Sequence, residues 1–464
     1  MGMTILPAAD TAFELHFPVV IIGAGAAGLI AALAAREAGA EVLVLERDPL
    51  PRGSTALSAG LIPAAGTRWQ AAAGIADTPA QFAADIMKKA HDEPDPDLAA
   101  CVAAESARVV EWLADHHGLE FSVITDFNYA GHGVHRMHGL PSRAGAELMD
   151  RLRGAADRAG VEILCNAHVT GLFADADRRI TGVAYRRPDG STEHVGCDAL
   201  VLACNGYGGN KSMVAQMIPE MAAALYFGHP GNQGDAVLWG QALGAATRHL
   251  SGHQGHGSVA HPAGILISWA TITAGGIQVN ETGARFSDEM QGYSEQAAHV
   301  LRQPGGVVWS IFDQRIAGIA RQFEDFRVAE QAGAVLGADT IAELEVATRL
   351  PAGTLRATLD ETARLAHGDG QDRFGRDFTI VPPLAPPYRA VRVTGALFHT
   401  QGGLAVDTGA RVRDQQGAAL PNLFAAGGAA AGVSGDAASG YLSGNGLLVA
   451  VSLGFIAGRS AAGG

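Results

Sequence analysis

Four cysteines are all that this 464-residue chain holds: Cys101, Cys165, Cys197 and Cys204, scattered and without a C-x-x-C pair. A disulfide framework and a paired-cysteine zinc site are not expected, and a reducing cytoplasm is the default compartment. Positive charge is short as well. Against 47 Asp and Glu stand 33 Lys and Arg, a formal net charge of -14, which argues against nucleic acid and anionic membrane as partners. The opening MGMTILPAADTAFELHF lacks a basic stretch followed by an apolar core, so no signal peptide is expected. The most apolar segment, Val19 to Ala35, is short for a membrane span and is interrupted by Gly23, Gly25 and Gly28, so no span is expected. Internal repeats and low-complexity tracts are missing. So is a C-x-x-C-H haem motif.

Glycine is abundant instead, at 61 residues without a fixed period, which suits a backbone that must come close to a ligand. Residues 18–23 (PVVIIG) read as a buried strand, 26–38 as an Ala/Leu-rich helix and 41–45 (EVLVL) as a second buried strand. That is one βαβ unit of a parallel sheet. A helix is expected over 145–159, and strands over 161–165, 180–186 and 199–203. From about 227 the pattern changes: His and Gly cluster first, polar amphipathic helices follow near 312–367, and VPPLAPPY (381–388) closes the region like a hinge. Gly-rich strands and a final helix around 446–459 complete the chain. The expected class is α/β: a discontinuous Rossmann-like domain with an inserted α+β capping domain. Its divisions are a tail at 1–16, the first part of the cofactor domain at 17–227, the cap at 228–387 and the second part at 388–464.

Gly23-Ala-Gly25-Ala-Ala-Gly28 sits between the first strand and helix, and Glu46 ends the second strand. This placement suits a dinucleotide. The first glycine makes the turn, the second lets the backbone approach a pyrophosphate, and the third lets helix and strand pack closely. The helix N-terminus at Ala26 stabilises phosphate charge, while Glu46 accepts from ribose hydroxyls. GSTALSAG at 53–60 offers hydroxyls and backbone amides to a second phosphate and the flavin edge. LFAAGG at 423–428 and SGNGLL at 443–448 provide another tight turn and a helix start, suited to negative charge on a reduced flavin.

At these residues the chain resembles the flavoproteins of the soluble fumarate reductase and 3-ketosteroid dehydrogenase group. Further markers are LACNGYGGN (202–210), GNQGDA (231–236), GARFSDE (283–289), HTQGG (399–403) and YLSGNGLL (441–448). The resemblance runs from about Phe17 to the C-terminus, more weakly over 65–140 and 300–385. It implies FAD, with contacts at Gly23, Gly25, Ala26, Gly28, Glu46, Arg47, Ser54, Thr55, Ser58, Ala59, Gly60 and Val169. It implies others at Cys204, Asn205, Gly206, Asp235, Gly427, Gly428, Asn445, Gly446 and Leu447. The sequence departs from the family pattern at Gly428, where an acid is usual. No histidine stands in the 53–60 segment, where membrane-bound relatives attach FAD covalently, so noncovalent FAD is expected; without a haem motif its electrons would leave to a separate acceptor such as oxygen, a quinone or a redox protein.

Fumarate reductases of this group clamp a dicarboxylate with two arginines, a task suited to bidentate guanidinium pairing. Here Tyr293 and Tyr441 stand at those two positions, and Trp269 and Ile272 replace the charged relay. The two tyrosines resemble the ketosteroid dehydrogenases, and Tyr441-Leu442-Ser443 is closest to the 3-oxo-5α-steroid 4-dehydrogenase subgroup. The resemblance implies a desaturase that makes a C=C bond next to a ketone. Tyr441 would polarise the carbonyl, Tyr293 and Ser443 would take the α-proton, and a β-hydride would pass to the flavin. Which of Tyr293 and Ser443 is the base stays open, as does direction: an enone reductase or a fumarate-reductase-like enzyme would run the reverse. A non-catalytic flavin carrier is the rival outside enzymes. The bland reading of Tyr293 is a surface residue of the cap, and of Tyr441 a hydroxyl that caps a turn.

His256 in QGH and His399 in HTQGG match substrate histidines of the family. His249, His253 and His261 read as loop or interdomain residues, and no metal site is expected. The loop FNYAGHGVHRMHG (127–139) is read as a pocket mouth, with Tyr129, His132 and Arg136 as further substrate residues. The substrate is expected to be a small cyclic ketone, either a steroid or a monocyclic ketone whose carboxylate could pair with Arg136 or Arg143.

Overall fold

The strand-forming residues at 16–22 are apolar on both faces, which demands a sheet covered on both sides. The computed structural model describes residues 4–8, 13–129 and 131–463, and supplies that sheet. The chain divides into two compact units. The first comprises Met1–Ile218, Gly228–His253 and His399–Gly464; the second comprises Pro219–Phe227 and Gln254–Phe398.

In the first unit a nine-stranded sheet runs in the order Thr4–Pro7, His168–Ala174, Ile180–Arg186, Thr192–Leu202, His16–Ile22, Val42–Leu45, Glu162–Leu164. Strand Thr192–Leu202 branches: it pairs antiparallel with Ile180–Arg186, and parallel with both His16–Ile22 and Ala419–Ala425. Strand Ala419–Ala425 in turn pairs with Arg411–Arg413. Helix Ala26–Glu37 covers one face and meets the C-terminal helix Asn445–Ala461. Their backbones close up because the contact residues are small: a Cβ on Gly454 would stand 2.6 Å from the Ala27 carbonyl oxygen, and one on Gly458 2.1 Å from that of Ala31.

The second unit is built on a seven-stranded sheet. Tyr388–Thr400 is its central strand, between His253–Ala260 and Val307–Asp313, with Ile265–Leu266 and Ile277–Val279 outside them. Leu225–Tyr226 and Val335–Ala338 also pair with the central strand. Helices Gln314–Ala320, Glu324–Gln331, Ile341–Thr348 and Thr354–Ala366 supply apolar faces such as Phe326 and Leu355 to its core.

The discontinuous α/β cofactor unit and the α+β insertion hold. Several local expectations need correction. The N-terminal tail is not all tail: Thr4–Pro7 forms an edge strand, parallel to Gly171–Ala174, because those four residues complete the backbone bonding of that strand. Residues 228–253 belong with the first unit, since helix Asp235–Ala242 packs on Leu404: a Cβ on Gly240 would lie 2.2 Å from its Cδ2. Residues 388–398 belong with the second, because they carry its central strand. His253, expected as a loop or interdomain residue, instead opens the buried strand His253–Ala260. No helix among the described residues is long and apolar enough to cross a membrane.

Candidate active site

The turn after strand His16–Ile22 shows each glycine in its task. Gly23 has φ +100°, and a Cβ there would meet the Ala203 carbonyl oxygen at 2.6 Å. One on Gly28 would stand 1.8 Å from the Gly23 carbonyl oxygen, so helix and strand touch at this point. At Gly25 a Cβ would have only Thr55 Oγ1 within 4 Å, at 3.8 Å, which leaves room for a phosphate at the helix N-terminus. Thr55 Oγ1 also accepts from the Ala26 N–H at 3.3 Å. The Glu46 carboxylate is fixed by the N–H groups of Ala24 (2.8 Å) and Asp48 (2.9 Å), which orients its remaining lone pairs. Val169 is buried in strand His168–Ala174, and the Arg47 guanidinium lies over Gly231.

The hydroxyls of 53–60 prove to be engaged by other groups of the protein. Ser54 Oγ accepts from His229 N–H at 3.1 Å and Asn232 Nδ2 at 2.9 Å. Ser58 donates to the Thr55 carbonyl at 2.7 Å and accepts from Gly60 N–H at 3.0 Å, while Ala59 follows in the same turn. These side chains shape the loop, which shifts ligand recognition toward backbone amides. Beyond strand Thr192–Leu202, Asn205 takes φ +65° and its Oδ1 accepts from Gly206 N–H at 2.8 Å. The Cys204 thiol is pushed up to about 12 by burial. Asp235 is buried with Oδ1 unpartnered, and burial raises its carboxyl to about 6. Asn445 Oδ1, at the start of the C-terminal helix, is buried and unpartnered too. Two such acceptors are costly unless a ligand with donors meets them. Together with the open helix N-terminus, they fit a hydroxyl- and amide-rich dinucleotide.

Within the first unit lies a groove lined by His399, Gln401, Gly427, Gly428, Gly432 and Gly446. Leu447 follows in the first turn of the helix and packs against the core of this unit. Gly428 shows why no acid stands there: a Cβ would meet Asn205 Oδ1 at 2.2 Å and His399 Nε2 at 3.0 Å.

Tyr441 is buried, at 7% exposure. Burial raises its phenol above the ordinary tyrosine value, opposed by the backbone N–H groups of Gly444 and Gly446 that face its oxygen. Tyr129 lies close enough to raise it further, and is itself pushed up to about 12 by burial. Both phenols therefore stay protonated at neutral pH. His132 Nε2–H donates to the Ser443 carbonyl at 2.9 Å, tying the 127–139 loop to the Tyr441–Asn445 turn; burial pushes the ring down to about 4.

Arg136 is corrected from a substrate residue at a pocket mouth to an internal anchor. It is fully buried, bidentate to Asp77 (2.7 and 3.0 Å) and bonded to Asp85, which in turn accepts from Gly133 N–H at 2.8 Å. A guanidinium wholly removed from water requires such partners. Arg143 pairs with Asp126 at 2.7 Å on the surface.

In the second unit, His256 stacks on Tyr293 and on Phe398, with centroids 5.0 and 5.2 Å away, and meets the edge of Trp269 at 5.7 Å. Burial pushes the ring down to about 3, and its Nδ1 accepts from Ser258 N–H at 3.2 Å. The neutral ring is thus an Nε2–H donor. Tyr293 is the first residue of helix Tyr293–Leu301. The sequence reading missed Phe398 as a wall of this cluster, although it directly precedes the HTQGG motif. Of the remaining histidines, His253 bonds the Ser251 carbonyl at 2.9 Å, His249 faces Asp436 at 3.3 Å, and His261 lies exposed after the strand. Among the described residues no cluster of His, Cys, Asp and Glu is placed to hold a metal ion.

A family model described as an FAD binding domain matches residues 18–447. The chain belongs to this FAD-binding family. It is 32% identical over 448 residues to the probable fumarate reductase Ifc3 of Shewanella frigidimarina, covering 96% of this chain and 74% of that protein. The open conformation of a flavocytochrome c3 fumarate reductase superposes with a TM-score of 0.83 at 32% identity, over 97% of this chain and 79% of the other. The 3-ketosteroid-Δ4-(5α)-dehydrogenase of Rhodococcus jostii RHA1 gives 0.77 at 25% identity, over 99% of each. This member of the FAD-binding family is an FAD-dependent oxidoreductase of the fumarate reductase and ketosteroid dehydrogenase group, acting on CH–CH groups.

Proposed function

We propose that the chain is a dehydrogenase that introduces a C=C bond α,β to the ketone of an alicyclic or steroid-like substrate. The observation that carries this reading is Tyr441: a buried, protonated phenol whose oxygen is faced by two backbone N–H groups, at the position of a clamping arginine. N–H groups directed at a phenol oxygen strengthen its O–H as a donor, and such a donor stabilises an oxygen that gains charge as a ketone becomes an enolate. A neutral donor also avoids the desolvation cost of an arginine that a ketone leaves unpaired. The family's pattern assigns α-proton removal to Tyr293 and Ser443. FAD, when bound, supplies the two-electron acceptor.

The residues that would hold FAD are the Gly23–Gly28 turn, Glu46, the 53–60 backbone, Asp235 and the Asn445–Leu447 helix start, without a covalent link. The four cysteines are all free thiols, which supports a reducing cytoplasm as the compartment. A separate acceptor would reoxidise the enzyme. A second reading, a fumarate-reductase-like enzyme working in the reverse direction, is favoured by the 32% identity to the Shewanella protein. The absence of an arginine at 293 and 441 weighs against it.

Anaerobic mixing of the holoenzyme with cyclic ketones and 3-oxo steroids tests the proposal through bleaching of the flavin band. At least one ketone should reduce the enzyme, and Tyr441→Phe should slow that reduction by about 100- to 1000-fold with FAD content unchanged. Reoxidation of reduced enzyme by fumarate as fast as the best ketone reduces it would sink the ketone reading in favour of the second.

A further inference from the structure

The half-buried His399 ring does not stand alone in the FAD-binding unit. Its Nδ1 lies 2.7 Å from Gln401 Nε2. Gln401 Oε1 accepts from the Ser434 hydroxyl at 3.0 Å, and Ser434 Oγ accepts from Asn445 Nδ2 at 3.0 Å. Asn445 Nδ2 is also directed at the Val433 carbonyl, at 3.5 Å. Gln401, Ser434 and Asn445 are all buried, at 3%, 1% and 0% exposure.

The direction of every bond in this chain follows from its far end. A carbonyl only accepts, so the Asn445 atom facing Val433 is the amide nitrogen, and it donates to Ser434 as well. Ser434 then has its own hydrogen for Gln401 Oε1. That fixes the Gln401 amide with its NH2 toward His399, and an NH2 group can only donate. Nδ1 of His399 must therefore carry a lone pair and Nε2 the proton. Gln401 is held in place through its backbone as well, with its N–H on the Gly252 carbonyl and its C=O on Gly432 N–H, both at 2.8 Å.

We infer that Gln401 is a positioning residue that fixes His399 as an Nε2–H donor, so that the substrate group meeting His399 is a hydrogen-bond acceptor. This rests on the placing of His399 at the substrate in the proposed function. It names the chemistry of that group as a ketone or enolate oxygen, and it excludes His399 from the role of α-proton base. The network is neutral throughout, so the donor is presented without placing a full charge in the groove.

Replacing Gln401 by glutamate reverses the constraint, because a carboxylate accepts where the amide donated. The ring proton is then drawn to Nδ1. Nitrogen-15 spectra of histidine-labelled holoenzyme without substrate report which ring nitrogen carries the proton, with His399→Asn identifying the signal. Wild type should show the proton on Nε2. Q401E, read at alkaline pH to keep the ring neutral, should show it on Nδ1. Q401M, which keeps the volume and loses the donor, should show exchange between the two forms. With FAD content retained, Q401E should reduce its flavin with the best ketone about 100-fold or more slowly, and Q401M by a smaller factor. A wild-type Nδ1–H, or a Q401E spectrum unchanged from wild type, overturns the positioning role whatever the substrate. A tautomer that inverts while ketone reduction keeps its wild-type rate leaves the positioning role intact and overturns the assignment of the substrate group.

Discussion

Each unit holds a buried polar network, and these two networks are built in opposite ways. In the FAD-binding unit, Asn445, Ser434, Gln401 and His399 form a chain with no net charge. In the second unit the corresponding feature is ionic. Arg285 is bidentate to Glu289 at 3.0 and 2.7 Å and reaches Asp372 at 2.7 Å, while Arg376 meets the same Glu289 at 3.1 Å. All four side chains are almost fully buried, and both guanidinium groups lie over Phe378. Burial works to raise the Glu289 carboxyl, yet Arg285 and Arg376 hold it below the ordinary glutamate value. A neutral chain can be redirected by one side chain at modest cost. An ionic cluster cannot, because removing one member strands the charge of another. The first arrangement suits a site that must present a chosen donor, the second a scaffold.

Acid should separate the two most strongly. His132, His138 and His399 in the FAD-binding unit are each pushed down to about 4 by burial. Their folded values lie below the ordinary value of about 6.5, so their stabilisation is complete above that pH and is lost as pH falls toward 4. Each ring contributes about 1.4 kcal/mol per pH unit in that window. In the second unit His256 is pushed down further and the half-buried His299 is lowered by burial as well, while Glu289 resists protonation. Hydrogen exchange followed by mass spectrometry from pH 7 to 4 should show the FAD-binding unit losing protection first. The reverse order would break the comparison.

Cutting the ionic cluster should give the next effect. Glu289→Ala leaves Arg376 without its carboxylate and should lower the unfolding free energy by about 3–5 kcal/mol, read by denaturant titration. A loss under 1 kcal/mol would mean that water already screens these charges.

Smallest is the cost of cutting the neutral chain. Ser434→Ala leaves Asn445 Nδ2 and Gln401 Oε1 each short of a partner, a loss of about 1–3 kcal/mol. The same titration should place it below Glu289→Ala, and a larger loss than that variant shows would contradict the assigned roles.

The histidine segment shows why some of the fold was not legible. HQGHGSVA has no alternating pattern, since two of its eight residues are glycine. Their reason lies 39 residues on: a Cβ at Gly255 would stand 2.6 Å from the Ser294 carbonyl oxygen, and one at Gly257 2.8 Å from Gln296 Cγ. The strand is thin so that helix Tyr293–Leu301 can lie on it. Arg136 is a similar case, because Asp77 and Asp85 are 59 and 51 residues away and nothing local marks them as its partners. Gln401 did leave a signal. In an extended strand, residues two apart share a face, and HTQGG puts an amide beside the histidine in this way.

What the sequence by itself determined was the cofactor end. The Gly23–Gly28 turn, its flanking strand and helix, and Glu46 lie within one short βαβ unit, so spacing alone sets their geometry. The tyrosines in place of arginines were also readable, because a missing charge needs no coordinates to be seen. Only the tertiary structure decided which polar groups are committed elsewhere: Arg136 to two distant aspartates, Ser54 to His229 and Asn232, Ser58 to its own loop, and His399 to an amide whose direction is set from Val433. Hydrogen bonding is directional and saturable, so a side chain's role depends on which partners have already claimed it, and those partners are brought together by the fold.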